Sequence, residues 1–408
     1  MNHQPARSDA PSSRPAPEVA LAPSFVLRGA REALAAQGCR RSLPAAGGTL
    51  EDRLARFFAQ NGGGPGLLVG ALPYEATAPA HLYEPATLAR PATPAATEAA
   101  RHPPAPALGA CRATPRPDVA GYRAAVAAAL ARMADEAHDP AGLRKIVLAR
   151  ALWLETEHPI DAAALLDRLA RDPAVTAFRV PLPAAGADAA PRELVGATPE
   201  LLLAKSGARV ASHPLAGSAR RRPDDPAADA DAARALLASA KDRREHAAVA
   251  EAVLDELAPL CRTLGTPEGT TLFATASMWH LGTRIAGELK DPGLPSLVLA
   301  ARLHPTPAVC GAPRAAAARA IAQLEPAPRG FYSGAVGWCD AAGDGRWWVA
   351  IRCAEIAGRT ARLYAGAGIV PGSDPEAEAE ETAAKFAALL DALGVDETGR
   401  LRAGEPLP

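Results

Sequence analysis

The chain has almost no net charge. Its 44 lysines and arginines stand against 45 aspartates and glutamates, leaving −1 at neutral pH over 408 residues. That excludes the electrostatic footprint of a nucleic-acid binder or of a protein held on an anionic membrane. No apolar run reaches the ~20 residues a membrane-spanning helix needs. Cysteine is sparse and scattered, at Cys39, Cys111, Cys261, Cys310, Cys339 and Cys353. No two form a Cys-x-x-Cys pair, so neither a zinc site nor a disulfide framework is expected. Free thiols in a reducing cytoplasm are the natural reading. Residues 1–23 are rich in Pro, Ala and Ser and lack the apolar core of a secretory signal, so a disordered leader is expected there. There is no internal repeat. What remains is 49% hydrophobic and 22% charged, an ordinary globular composition with enough chain for one large core or two modest ones. The excess of Ala, Arg and Pro reads as the mark of a GC-rich coding sequence.

Residues 25–58 form a first folded stretch with a helical pattern through Leu50, Leu54, Phe57 and Phe58. Residues 66–73 read as a buried strand. Residues 88–117, rich in Pro, Ala and Thr, read as a linker or long surface loop. A helix over 118–137 carries Val119, Tyr122, Val126 and Leu130 on one stripe. Strands are predicted over 145–154, 194–204, 209–215 and 271–280, and helices over 160–171 and 230–264. A meander follows at 332–339, 347–356 and 360–365, with turns at Asp344-Gly345 and Gly358. Long helices between hairpin-linked strands point to an α+β fold, a layered and mostly antiparallel sheet with helices outside, and not to a doubly wound parallel sheet.

Several residue types stand where chemistry needs them. In Ser373–Lys385, Ser373 and Glu376 read as a capping box with Pro375 in the first turn. Spacings of three and four place Glu378, Glu381 and Lys385 on one face. That face follows a glycine turn after a strand, which suits a hard metal beside an anion; a solvated acidic first turn has the same pattern. Lys145 heads an apolar strand. Turned inward it is desolvated and can act as a base; turned outward it is an ordinary strand-end lysine. Glu200 precedes three leucines and is either a surface carboxylate or a poorly solvated acid. Glu245 shares a helix face with Val249, Ala252 and Val253, so it needs a partner: a metal shared with Glu378 or Glu381, or a neighbouring arginine. Arg352, between Ala350 and Ala354, has room to grip a carboxylate bidentately, or lies on the surface. His213, His280 and His304 are candidates for supporting positions.

These segments together resemble the chorismate-utilising enzymes, most closely the isochorismate synthases of catecholate siderophore (2,3-dihydroxybenzoate) pathways. The matching stretches, in the family's order, are Lys145–Arg150, Gly196–Leu201, His213–Ser218, Lys241–His246, His304–Gly311, Tyr332–Gly337, Ile351-Arg352, Ala365–Ile369 and Glu378–Lys385. Val69–Tyr74 adds a match nearer the N-terminus. Many ordered matches are far more specific than any single motif. The resemblance implies Mg²⁺, with Glu245 and Glu381 as ligands and Glu378 partly through water. It implies that Gly217, Ser218, Tyr332, Arg352, Lys385 and the backbone at Gly366 and Gly368 hold chorismate. It also implies water addition at ring C2 with loss of the C4 hydroxyl, Lys145 as base and Glu200 as acid. The aminating branch usually has glutamine at the lysine position, so Lys145 argues for water.

Under that resemblance residues 24–117 belong to the same fold, 118–395 form the chorismate-binding catalytic domain and 396–408 are a tail. A cytoplasmic monomer or weak dimer is expected, with chorismate and isochorismate as its partners and no nucleic acid or membrane. Salicylate synthase, which goes on to expel pyruvate, is the nearest alternative. Pro307–Gly311 favours stopping at isochorismate, because salicylate-forming relatives tend to carry threonine there. A menaquinone-pathway isochorismate synthase is a further alternative. In a different class stands a catalytically silent chorismate-binding or scaffold protein, which would leave chorismate unconsumed.

Overall fold

The computed structural model describes residues 24–30, 32–60, 63–90, 105–183 and 190–402. The expected leader at 1–23 lies outside them, as does the end of the tail. Two large antiparallel sheets face each other. One runs, in spatial order, through strands Gly311–Ala312, Lys145–Thr156, Thr360–Ile369, Cys353–Ala357, Arg192–Thr198, Thr176–Leu182, Ser24–Gly29, Glu32–Gln37 and Thr87–Ala89. The other runs through Cys261–Gly265, Ile285–Leu289, Arg209–His213, Leu201–Ser206, Gly345–Val349, Ala335–Asp340, Leu67–Leu72, His81–Glu84 and Arg41–Ser42. A three-stranded sheet, Leu215–Arg220, Met278–Thr283 and Thr270–Ala274, stands beside them. The strand Leu67–Leu72 shows how the layers form. Leu67, Val69 and Ala71 point between the sheets, while Leu68 and Leu72 meet helices outside. Helices Leu50–Ala59, Ala240–Leu257 and Ser296–Leu303 cover one outer face; Ala162–Leu169 and Pro375–Leu393 cover the other. The α+β layered expectation is therefore met. No helix among the described residues is long and apolar enough to cross a membrane.

Several predicted elements are divided. The strand expected at 194–204 is two strands in different sheets, broken at Pro199-Glu200, because proline cannot donate to a ladder. The strand expected at 347–356 also changes sheet, at Ala350–Arg352. The helix expected at 230–264 is two helices, Pro226–Ala238 and Ala240–Leu257, then a strand from Cys261. Ser239 ends the first helix in extended backbone, and its side chain caps the second. Residues 271–280 cover most of one strand and half of the next, around a turn where Thr275 and Met278 exchange hydrogen bonds. The stretch 88–117 is not all loop. Thr87–Ala89 and Cys111–Arg116 are paired strands, although residues 91–104 lie outside the described set.

Candidate active site

The places where the chain changes sheet carry the site. Glu200 sits in the break between Thr198 and Leu201, and Arg352 in the break between Val349 and Cys353. Arg352 has φ +51 and Ser333, next to Tyr332, has φ +60, the only non-glycine residues of positive φ among those described. Left-handed backbone at such residues costs roughly 1–3 kcal/mol and has to be held by its surroundings. Here the Ser333 amide donates to Ala350 O at 2.8 Å, extending the pairing of Ala335–Asp340 with Gly345–Val349 towards Arg352. Arg352 is thus not inside a regular strand as expected, but it is buried, and its Nη2 donates to His280 Nε2 at 3.4 Å. Burial and the Arg352 charge hold His280 neutral, well below its usual range.

A cavity of about 60 Å³ is walled by Glu200, Gly217, Ser218, Glu245, His280, Tyr332, Arg352, Gly366, Gly368, Glu381 and Lys385. Ten of the twelve residues given catalytic, substrate or metal roles from the sequence meet there, together with His280. Lys145 and Glu378 stand just behind the wall. A much larger open cleft, about 1260 Å³, shares Pro199 and Arg352 with the chamber. It lacks the carboxylate–lysine cluster, so size alone does not mark the chemical site. The glycines are required by space. A Cβ on Gly368 would lie 1.9 Å from Glu245 Oε1, and one on Gly366 would lie 2.9 Å from the Tyr332 hydroxyl.

Three carboxylates meet three lysines. Lys145 Nζ lies 3.3 Å from Glu245 Oε1, so the partner of Glu245 is this lysine and not a neighbouring arginine. Lys241 Nζ donates to Glu378 Oε1 at 2.8 Å. Lys385 Nζ donates to Glu381 Oε1 at 2.6 Å and to Gly366 O at 2.8 Å, while Ser218 Oγ donates to the same Glu381 oxygen at 2.9 Å. Glu378, Glu381 and Lys385 do share a face of the Pro375–Leu393 helix. The helix is capped by Asp374, whose side chain accepts from the Ala377 amide. Ser373 instead accepts from the Val370 amide, because Pro375 occupies the first helical position and moves the cap one residue on.

Burial sets the protonation states. It lowers the Lys145 pKa against the opposing pull of Glu245. It pushes Glu200 up to about 8, so this acid is mostly protonated at neutral pH. It also raises Glu378, helped by the nearby Glu381 charge. Burial works the same way on Glu381, but Lys385, Lys241 and Ser218 outweigh it and hold that carboxyl below its ordinary value. Among the described residues no three carboxylate, imidazole or thiol groups stand close enough to grip a cation as they are. The donor set nevertheless suits a hard divalent ion. All three ligand candidates offer oxygen, and Glu378 Oε2 is buried without a partner.

Other supporting residues gave little signal in the sequence. Glu325 and Arg329 form a buried pair beneath the chamber. Glu325 accepts from the Ala149 amide at 2.8 Å, and Arg329 donates to Val309 O at 2.6 Å and Val147 O at 2.7 Å. They bracket Pro326-Ala327-Pro328. Lys241 lies within a matching stretch, but nothing local marks its partner. His304 is buried against Pro73 O and Tyr74 O, and His213 stacks edge-on with Phe273; neither lines the chamber.

A family profile described as "Chorismate binding enzyme" matches residues 75–394. Isochorismate synthase DhbC of Bacillus subtilis is 44% identical over 382 residues, covering 91% of this chain and 94% of that protein. Isochorismate synthase EntC of Escherichia coli is 39% identical over 352 residues, covering 85% and 86%. A crystal structure of a DhbC from Bacillus anthracis, assigned as 2,3-dihydroxybenzoate-specific isochorismate synthase, superposes with a TM-score of 0.83 at 38% identity. That alignment covers 92% of this chain and 97% of that one. With a family profile over residues 75–394 and relatives 39–44% identical across 85–91% of its length, the chain belongs to the chorismate binding enzyme family.

Proposed function

We propose that the protein is an isochorismate synthase, an isomerase that adds water at C2 of chorismate and removes the C4 hydroxyl, feeding 2,3-dihydroxybenzoate-type siderophore synthesis in the cytoplasm. The observation that carries this reading is two buried groups at one chamber, the Glu200 carboxyl in its wall and the Lys145 ammonium just behind it, the lysine with a lowered pKa and the carboxyl pushed up to about 8. Such a pair supplies a base and an acid at the same pH. Lys145 takes a proton from the attacking water as its oxygen bonds to C2. Both ring double bonds shift, C1=C2 to C1=C6 and C5=C6 to C4=C5, and Glu200 protonates the departing C4 hydroxyl, so one water enters and one leaves. Arg352 grips one substrate carboxylate through its planar fork, with His280 holding the guanidinium in place. Lys385, the Tyr332 hydroxyl, Gly217, Ser218 and the backbone at Gly366 and Gly368 orient the rest. Mg²⁺ held by Glu245 and Glu381, with Glu378 partly through water, would supply positive charge for the ring carboxylate as electrons redistribute.

Chromatography of products after incubation with chorismate and Mg²⁺ tests the reading. Isochorismate alone is expected, and excess chelator should abolish its formation. Salicylate with pyruvate would move the protein to the lyase-active alternative. Unchanged chorismate absorbance would make it a silent binder.

A further inference from the structure

Two of the three lysines that meet the carboxylates have work in the reaction above, but Lys241 has none. It projects from the first turn of the Ala240–Leu257 helix onto Glu378, the carboxylate that does not line the chamber. Glu378 has a side chain only 2% exposed, lies one helical turn from Glu381, and keeps Oε2 buried and unpartnered. Two carboxylates one helical turn apart, Glu378 buried and Glu381 largely so, repel each other and lose hydration, so without a metal they need another positive charge. Lys241 provides it at 2.8 Å through Glu378 Oε1, beside the unpartnered Oε2 that a cation would use. We propose that Lys241 is a built-in counter-cation that holds Glu378 in the metal-free protein and competes with the divalent ion for it, thereby weakening metal affinity. This rests on the reading of Glu245, Glu378 and Glu381 as the cation ligands.

The test is calorimetric titration of Mg²⁺ into the full-length, substrate-free protein, comparing the parent with Lys241→Met and Lys241→Arg. Removing the charge should tighten Mg²⁺ binding about tenfold or more, since a cation one ligand away opposes another strongly at this burial. The arginine variant should stay near the parent. Without metal, Lys241→Met should melt at lower temperature, and Mg²⁺ should restore the loss. Glu378→Gln and the double variant Lys241→Met/Glu378→Gln complete a cycle in which the effect of Lys241 should vanish once Glu378 is neutral. This arm keeps the inference testable if the lone Lys241→Met chain folds poorly. Unchanged or weaker Mg²⁺ binding in Lys241→Met, or an equal effect of the substitution with and without the Glu378 charge, would overturn it. Mg²⁺ binding left unaltered by Glu381→Gln would instead remove the ligand set, and the inference with it.

Discussion

A carboxyl that burial pushes up to about 8, as Glu200 is, binds a proton in the folded protein over a range where the unfolded chain has released it, from about 4.5 upward. Folding is then linked to proton uptake. The contribution of Glu200 to stability is complete below about 4.5 and is lost as pH rises through about 8. Urea unfolding at several pH values should show the parent losing stability across this window and Glu200→Gln losing distinctly less. The same proton shapes catalysis. The rate should rise as Lys145 deprotonates and fall near pH 8 as Glu200 loses the proton it donates. Lys145→Ala should remove hydration by at least 100-fold, the lower range of a general base's contribution, while the circular dichroism spectrum stays native. Conversion at the parent rate in that variant would leave Lys145 as the buried partner of Glu245 and nothing more. At this scale the sequence was informative about residue types and weak about surroundings. The apolar strand after Lys145 suggested burial, but its ion pair spans a hundred residues, and no local pattern could show it.

The Thr360–Ile369 strand runs beside Lys145–Thr156, and its glycines let the Glu245 helix and Tyr332 approach its backbone. Alanine substitutions should therefore grade with the space available. Gly366→Ala needs the Tyr332 hydroxyl to give way by a few tenths of an ångström. Gly368→Ala must displace the Glu245 carboxylate, whose Oε1 lies 1.9 Å from the new Cβ. The expected order of kcat/KM is parent, then Gly366→Ala, then Gly368→Ala, with the last down tenfold or more and weakened in Mg²⁺ binding. Equal activity of all three would show that the helix can withdraw freely. Boundaries explain where the sequence reading failed among the elements. Periodicity follows the burial of side chains, and burial continues through Pro199-Glu200 and through Ala350–Arg352 although the hydrogen-bonding partner changes. A strand that passes from one sheet to another therefore reads as one long strand. The run 230–264 failed in the same way, because Ser239 breaks the helix by its backbone angles without interrupting the pattern.

Across the whole molecule, stability should reside in the packing of helices on the outer faces and of the sheets on each other. Trp347, fully buried with the helices of one outer face, is a suitable probe. Its truncation to alanine should cost about 3–5 kcal/mol in denaturant unfolding, because the cavity cannot collapse between a sheet and its helices. A loss under 1 kcal/mol would mean that this layer repacks freely. The amino-acid sequence by itself determined the fold class, the buried strand expected at 66–73 and found at Leu67–Leu72, the helix face of Glu378, Glu381 and Lys385, and the residue types of the chamber. These follow from periodicity, spacing and ordered motifs that neighbouring residues carry locally. Only the tertiary structure decided that Glu200 and Arg352 stand at the two sheet changes, that each carboxylate meets its own lysine, and that Glu325 and Arg329 support the floor. Those facts depend on contacts between segments far apart in the chain, whose geometry is set by how two twisted sheets and their helices pack.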